Sequence, residues 1–149
     1  MNKAKRNEEF LEYIYQGDVL LAIILKSEYQ SEGIKFFTPN DFSQQLGCMK
    51  RPEGYKIMPH VHNPVERTIE FTKEVLFIKR GLVKVNFYTD KKIYIKSRII
   101  KKGDILLLAY GGHGFEVLEE SEIIEVKQGP YAGDDDKTRF NEKNTNKNS

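Results

Sequence analysis

Glu74-Val-Leu-Phe-Ile-Lys-Arg-Gly81-Leu-Val-Lys-Val-Asn-Phe-Tyr-Thr89 reads as two β-rich runs, Glu74–Arg80 and Leu82–Thr89, on either side of one glycine. Val, Ile, Phe and Tyr fit a pleated, half-buried surface, and Gly81 supplies the local punctuation. Downstream the same texture recurs in Lys92–Ile100, Asp104–Ala109, Phe115–Leu118 and Glu122–Lys127, joined by turns such as Thr89-Asp90-Lys91 and Lys101-Lys102-Gly103. Upstream it recurs in Asp18–Leu25, Ile34–Thr38 and Tyr55–His62. Short strands separated by turn residues predict an all-β protein, a sandwich, jelly roll or barrel, over βαβ units.

Two departures from pure β structure are expected. Phe10, Tyr13 and Ile14 stand at helical spacing, so Asn7–Gln16 is predicted to be a short amphipathic helix within an N-terminal arm, residues 1–17. Pro39-Asn40-Asp41, followed by Phe42, Gln45 and Leu46, predicts a capped single helical turn. The barrel is expected over residues 18–131. From Gly133 the sequence loses apolar residues except Phe140, which predicts a disordered tail over 132–149. Just before it, Gln128-Gly129-Pro130-Tyr131 reads as a fixed turn placed to edge a pocket.

The bulk numbers narrow the setting. With 149 residues and 39% hydrophobic content, one domain is expected. A net charge of +2 with both signs scattered gives little basis for phosphate-backbone binding, so no nucleic-acid partner is expected. Cys48, the one cysteine, cannot form an internal disulfide, and the N-terminus lacks the apolar core of a signal peptide, which points to the cytoplasm. The longest apolar run, Val19–Leu25, has seven residues where a membrane-spanning helix needs about 20. No membrane partner is expected.

Three histidines carry the chemistry. His60-Val61-His62 lies in a run read as extended, where a period of two sends both imidazoles to one face, a geometry suited to chelation. Glu66 and Glu74 follow, and either can add the oxygen donor of a mixed imidazole and carboxylate site. Glu74 is favoured because it is in phase with Leu76 and Ile78, so it turns inward and requires a partner to offset its desolvation. Glu66 lies in a Pro-containing loop. His113 sits in Tyr110-Gly111-Gly112-His113-Gly114-Phe115, where the glycines allow a close backbone approach. Other readings stand beside these: an isolated histidine is commonly structural, and a glycine-rich loop is commonly a plain turn.

With those residues in place, the chain resembles the cupins over roughly residues 50–128. Gly54, Tyr-Lys-Ile-Met-Pro, then His60-Val61-His62 is similar to the front of the first cupin motif, and Glu74 through Gly81 to its back. Eleven residues separate His62 from Glu74 where the family has three or four, and Glu66 has the usual spacing but no glycine six residues beyond it. The second motif is followed loosely by Gly103, Gly111 and His113, with Ala109 in place of the motif's proline and Val117 in place of its asparagine. The resemblance implies a cupin-type double-stranded β-helix, a jelly-roll barrel, with His60, His62, Glu74 and His113 around a divalent metal, whether Fe, Mn, Ni or Zn. The stretch from Gly111 to Phe140 is similar to small bacterial cupins associated with surface-polysaccharide and sugar-nucleotide genes, which suggests a small sugar-derived substrate, free or nucleotide-linked.

Such a site is a Lewis acid with positions open for substrate. An isomerase or epimerase also requires an acid or base, for which Glu125 and Lys127 are candidates, since they share a face of the last strand; the alternative puts them on its solvent side. Lys56, in parity with His60, and Tyr110 are candidates to bind substrate. The expectation is an isomerase or epimerase. The alternatives are an Fe(II)-dependent dioxygenase and a non-enzymatic binding cupin, whose regulatory form lacks an output domain to act through. Apolar strand edges such as Val19–Leu25 suggest a homodimer.

Overall fold

The structure, a computed structural model, describes residues 8–142. Its strands are β1 (Leu11–Gln16), β2 (Val19–Leu25), β3 (Ile34–Phe36), β4 (Gly47–Met49), β5 (Glu74–Tyr88), β6 (Tyr94–Lys101), β7 (Ile105–Leu108) and β8 (Gly112–Lys127), followed by a 3₁₀ turn at Gly133–Asp136. The chain separates into two compact units, one made of the residues up to Tyr29 and from Phe71 onward, the other of Gln30–Glu70.

The larger unit is an antiparallel sheet ordered β1-β2-β7-β5-β6, with β8 on the other edge of β5. Strand β8 runs along all of β5, whereas the opposite edge of β5 is divided: β7 takes Glu74–Phe77 and β6 takes Leu82–Tyr88. This arrangement requires the ribbon to curl. An extended strand of 15 residues reaches roughly 45 Å. Yet Leu108, opposite Glu74, lies only four residues before Gly112, which is opposite Tyr88, and four residues span about 14 Å at most. The two ends of β5 are therefore bent toward each other into a half-barrel.

The bend is local. Register between β5 and β8 shifts between Ile78 and Arg80, between Arg80 and Leu82, and between Leu82 and Val83, and each irregularity adds twist and curvature. Gly81, at the centre, has φ +94°, and a Cβ there would collide with Ser121 and the Glu120 carbonyl. The concave face carries the core: Ile14, Leu21, Ile24, Leu76, Ile78, Val83, Val85 and Phe87 are all buried. Asp104 is the fully buried charge beside this core. Its carboxylate accepts from Ser27 N at 2.9 Å, Lys101 N at 2.9 Å and Lys26 Nζ at 3.0 Å, which pins the link between β6 and β7.

Several expectations require correction. Leu11–Gln16 is a strand, not part of a helix over Asn7–Gln16, while residues 1–7 lie outside the described residues. Helical spacing of Phe10, Tyr13 and Ile14 also fits a strand in which Ile14 alone is buried and Tyr13 and Tyr15 stack on the exposed side, ring centroids 6.4 Å apart. Gly17, at φ +56°, then opens the two-residue turn into β2, the position at which a type II′ hairpin needs positive φ. The two runs around Gly81 are one strand, and so are Phe115–Leu118 and Glu122–Lys127. No regular element occupies Tyr55–His62, within which Pro59 lacks a ladder donor. Pro39–Phe42 is a turn closed by Phe42 N to Pro39 O at 3.2 Å, not a helical turn.

The Gln30–Glu70 unit has one small hairpin, β3 with β4. Ser31 Oγ donates to the Gly33 and Cys48 carbonyls, and Thr38 Oγ1 donates to Gln45 Oε1 at 2.7 Å while accepting from Leu46 N. These polar contacts flank the buried Phe37 and Leu46 of the same unit. No helix among the described residues is long and apolar enough to cross a membrane.

Candidate functional site

The curl of the β5/β8 ribbon has a chemical consequence. Glu74 begins β5, and His113 lies near the start of β8, opposite Phe87. In a straight ribbon these residues would be far apart. In the curled one, Glu74 Oε2 and His113 Nε2 approach to 3.2 Å. The Glu74 side chain is 14% exposed and that of His113 30%, so the carboxylate does turn inward with Leu76 and Ile78 as its strand parity requires. The hydrogen bond from His113 holds the Glu74 carboxyl below its usual value against the upward push of burial, assisted by the positive charges of Lys127 and Lys137.

A cavity of about 690 Å³ opens around this pair. Glu125 lines it, with Lys127 Nζ 3.5 Å from Glu125 Oε1. Both remain partly exposed, because β8 past Gly114 has little packed over either face. Tyr110 lines the cavity as well; its ring meets Phe71 edge-on at 5.1 Å and its hydroxyl donates to Asp90 Oδ2 at 3.4 Å. Aromatic walls with a few convergent polar groups are the usual make-up of a small-molecule site.

The remaining candidates lie in the Gln30–Glu70 unit, all exposed: Lys56, His60, His62 and Glu66. With no strand there, the parity argument for Lys56 lapses. The two imidazoles nevertheless meet edge-on, centroids 5.3 Å apart. His60 Nδ1 is 3.0 Å from the Met58 carbonyl. Since a carbonyl only accepts, Nδ1 is the donor in this contact and Nε2 is left as the ligating nitrogen, as in metal sites whose histidines are fixed by a backbone carbonyl. Among the described residues, no three His, Cys, Asp or Glu side chains form a group that could hold a metal ion. The donors are arranged as two pairs. The Glu74–His113 separation of 3.2 Å is that of a hydrogen-bonded pair. In donor chemistry, imidazole and carboxylate, these residues suit a divalent ion, and they stand as two separate pairs.

Sequence reasoning missed the far wall. Phe71, Tyr88, Lys137, Arg139, Phe140 and Glu142 also line the cavity, and the last four belong to the stretch expected to be a structureless tail. The available signal was Phe140 itself, one aromatic residue in an otherwise polar run. Comparison with protein-family models, with curated proteins and with solved structures gives no match.

Proposed function

We propose that this chain is a metal-binding cupin of the isomerase or epimerase type, acting on a small sugar-derived substrate in the cavity around Glu74 and His113. The observation that carries the reading is the 3.2 Å contact of Glu74 with His113 in the lining of a cavity with aromatic walls. His60, His62, Glu74 and His113 are the proposed ligands of a divalent ion, which supplies Lewis acidity toward a substrate oxygen. The jelly-roll barrel, a homodimer and a cytoplasmic setting belong to the same proposal.

The other steps belong to protein groups. Phe71 and Tyr110 offer an apolar surface to the carbon face of a sugar and displace water from it. Glu125, beside Lys127, is the candidate base that takes a proton from carbon next to a carbonyl and becomes neutral, and the Lys127 ammonium then faces the negative charge left on the substrate. Tyr110 offers a hydroxyl to a substrate oxygen. A dioxygenase would share the ligands and differ in needing Fe(II) and O₂; a binding module would share the cavity without turnover.

Metal analysis of the purified protein tests the centre. A stoichiometric divalent metal that is lost in His62→Ala and His113→Ala supports the ligand set, and metal retained in both refutes it. Incubation with nucleotide-linked 4-keto sugars in D₂O, read by NMR, tests the reaction. Deuterium incorporation that disappears in Glu125→Gln is the expected result, and no exchange across the panel shifts the reading to a binding module.

A further inference from the structure

The C-terminal stretch is held against the larger unit by a set of specific contacts. Thr72 Oγ1 donates to Asp136 Oδ1 at 2.6 Å. Phe140 packs edge-on against Tyr88, centroids 5.1 Å apart, with the Lys92 ammonium 5.9 Å from its ring centroid. Glu142 Oε1 accepts from Tyr88 Oη at 2.8 Å and from Asn86 Nδ2 at 3.2 Å. Burial, together with this carboxylate, pushes the Tyr88 hydroxyl up to about 12.

The seat for this strap is cut from glycine. Gly112 and Gly114 stand opposite Tyr88 and Asn86, and a Cβ on Gly112 would come within 3.2 Å of the Phe140 ring. His113, between them, points to the other face of the strand. The Gly-His-Gly sequence thus serves two purposes: histidine toward Glu74, and a notch for Phe140 on the reverse.

Charge completes the picture. Of the five acids that line the cavity, Glu74 meets His113 and Glu125 meets Lys127, while Asp136 accepts from Thr72, Glu142 from Tyr88 and Asn86, and Asp90 from Tyr110 at 3.4 Å. The cations are not engaged to the same degree. Lys137 holds no ion pair among the described residues, and Arg139 has a loose 3.7 Å approach to Asp134, both side chains largely in solvent. Two cations in an extended stretch, two residues apart, thus border the cavity.

We propose that the strap, residues 133–142, is the anion-recognising wall of the cavity, in which Lys137 and Arg139 meet a phosphate group of the ligand while Phe140 and Glu142 clasp the strap in its glycine notch. This rests on reading the cavity as a substrate site, and it adds the charge of the substrate. Arg and Lys placed together give charge-assisted hydrogen bonds to phosphoryl oxygens. Because both side chains are exposed, the interaction weakens as salt rises.

Calorimetric titration of inorganic pyrophosphate into the purified full chain at low salt provides the test, with metal content measured on the same samples. Saturable binding is expected for the wild type. It should fall by about tenfold or more in Lys137→Ala/Arg139→Ala, since charge-assisted contacts to phosphate are lost, and should weaken also in Phe140→Ala, which releases the clasp. Metal content is expected to be unchanged in the double variant. Absence of binding by the wild type at millimolar pyrophosphate, or equal binding by the double variant, overturns the proposal. Binding unaffected by Phe140→Ala overturns the clasp. A wild type without metal that still binds pyrophosphate through Lys137 and Arg139 would refute the metal centre and leave the anion wall standing.

Discussion

Strand β5 and the Tyr55–His62 run share a similar texture of aromatic, β-branched and basic residues, and they end in opposite states. Strand β5 is paired on both edges, by β8 on one and by β6 and β7 on the other, and its inward side chains are buried. Tyr55–His62 forms no ladder, and all its residues are exposed. The difference lies in partners and in proline. A run of β-formers becomes a strand only where neighbouring chain offers hydrogen-bonding edges, and Pro59 withdraws a donor from the run that lacks them. Rigidity follows the same division: one histidine of the proposed centre is fixed by the ribbon, and two lie where irregular backbone holds them.

Substitutions can break this contrast. Phe87→Ala, at a side chain 1% exposed, should produce the largest loss, about 3–5 kcal/mol of stability by urea denaturation. Asp104→Ala should come close behind, at about 3 kcal/mol, because it strands the two backbone donors and the Lys26 ammonium that its carboxylate now satisfies. Gly81→Ala should cost about 2 kcal/mol through backbone strain alone, with the collision against Ser121 adding to it. If Gly81→Ala is neutral, the ribbon does not owe its curl to that residue.

A finer test concerns pH. The folded-state carboxyl of Glu74 is held below its ordinary value of 4.5. A depressed carboxyl contributes stability above the unfolded value, and that contribution is lost as pH falls through the lower folded value. The stability gap between wild type and Glu74→Gln should therefore narrow as pH falls below about 4.5. A gap that widens there would reverse the assignment. The smallest effect belongs to the irregular run: Ile57→Ala, at an exposed side chain, should change stability by less than about 0.5 kcal/mol.

Much of the larger unit was legible. The expected strand Asp18–Leu25 matched β2, Val19–Leu25, to within a residue, and the inward phase of Glu74 followed from Leu76 and Ile78, because alternation is written into the order of residues. The amphipathic spacing around Tyr13 was misread because a few residues satisfy both helical and strand periods, and pairing with β2 settles which applies. The strap was not legible, since Phe140 finds its seat on Gly112 and Tyr88, far away in the sequence.

By itself, then, the sequence determined the β-rich character of the chain, the inward face of β5 and the residue types available for a site, because local propensity and a period of two need no knowledge of partners. Only the tertiary structure decided that the strands on either side of Gly81 are one bent strand, that Glu74 and His113 meet, and that residues from Asp136 to Glu142 line a cavity. Each of those outcomes depends on contacts between residues tens of positions apart, and curvature summed along a ribbon is not encoded at any single residue.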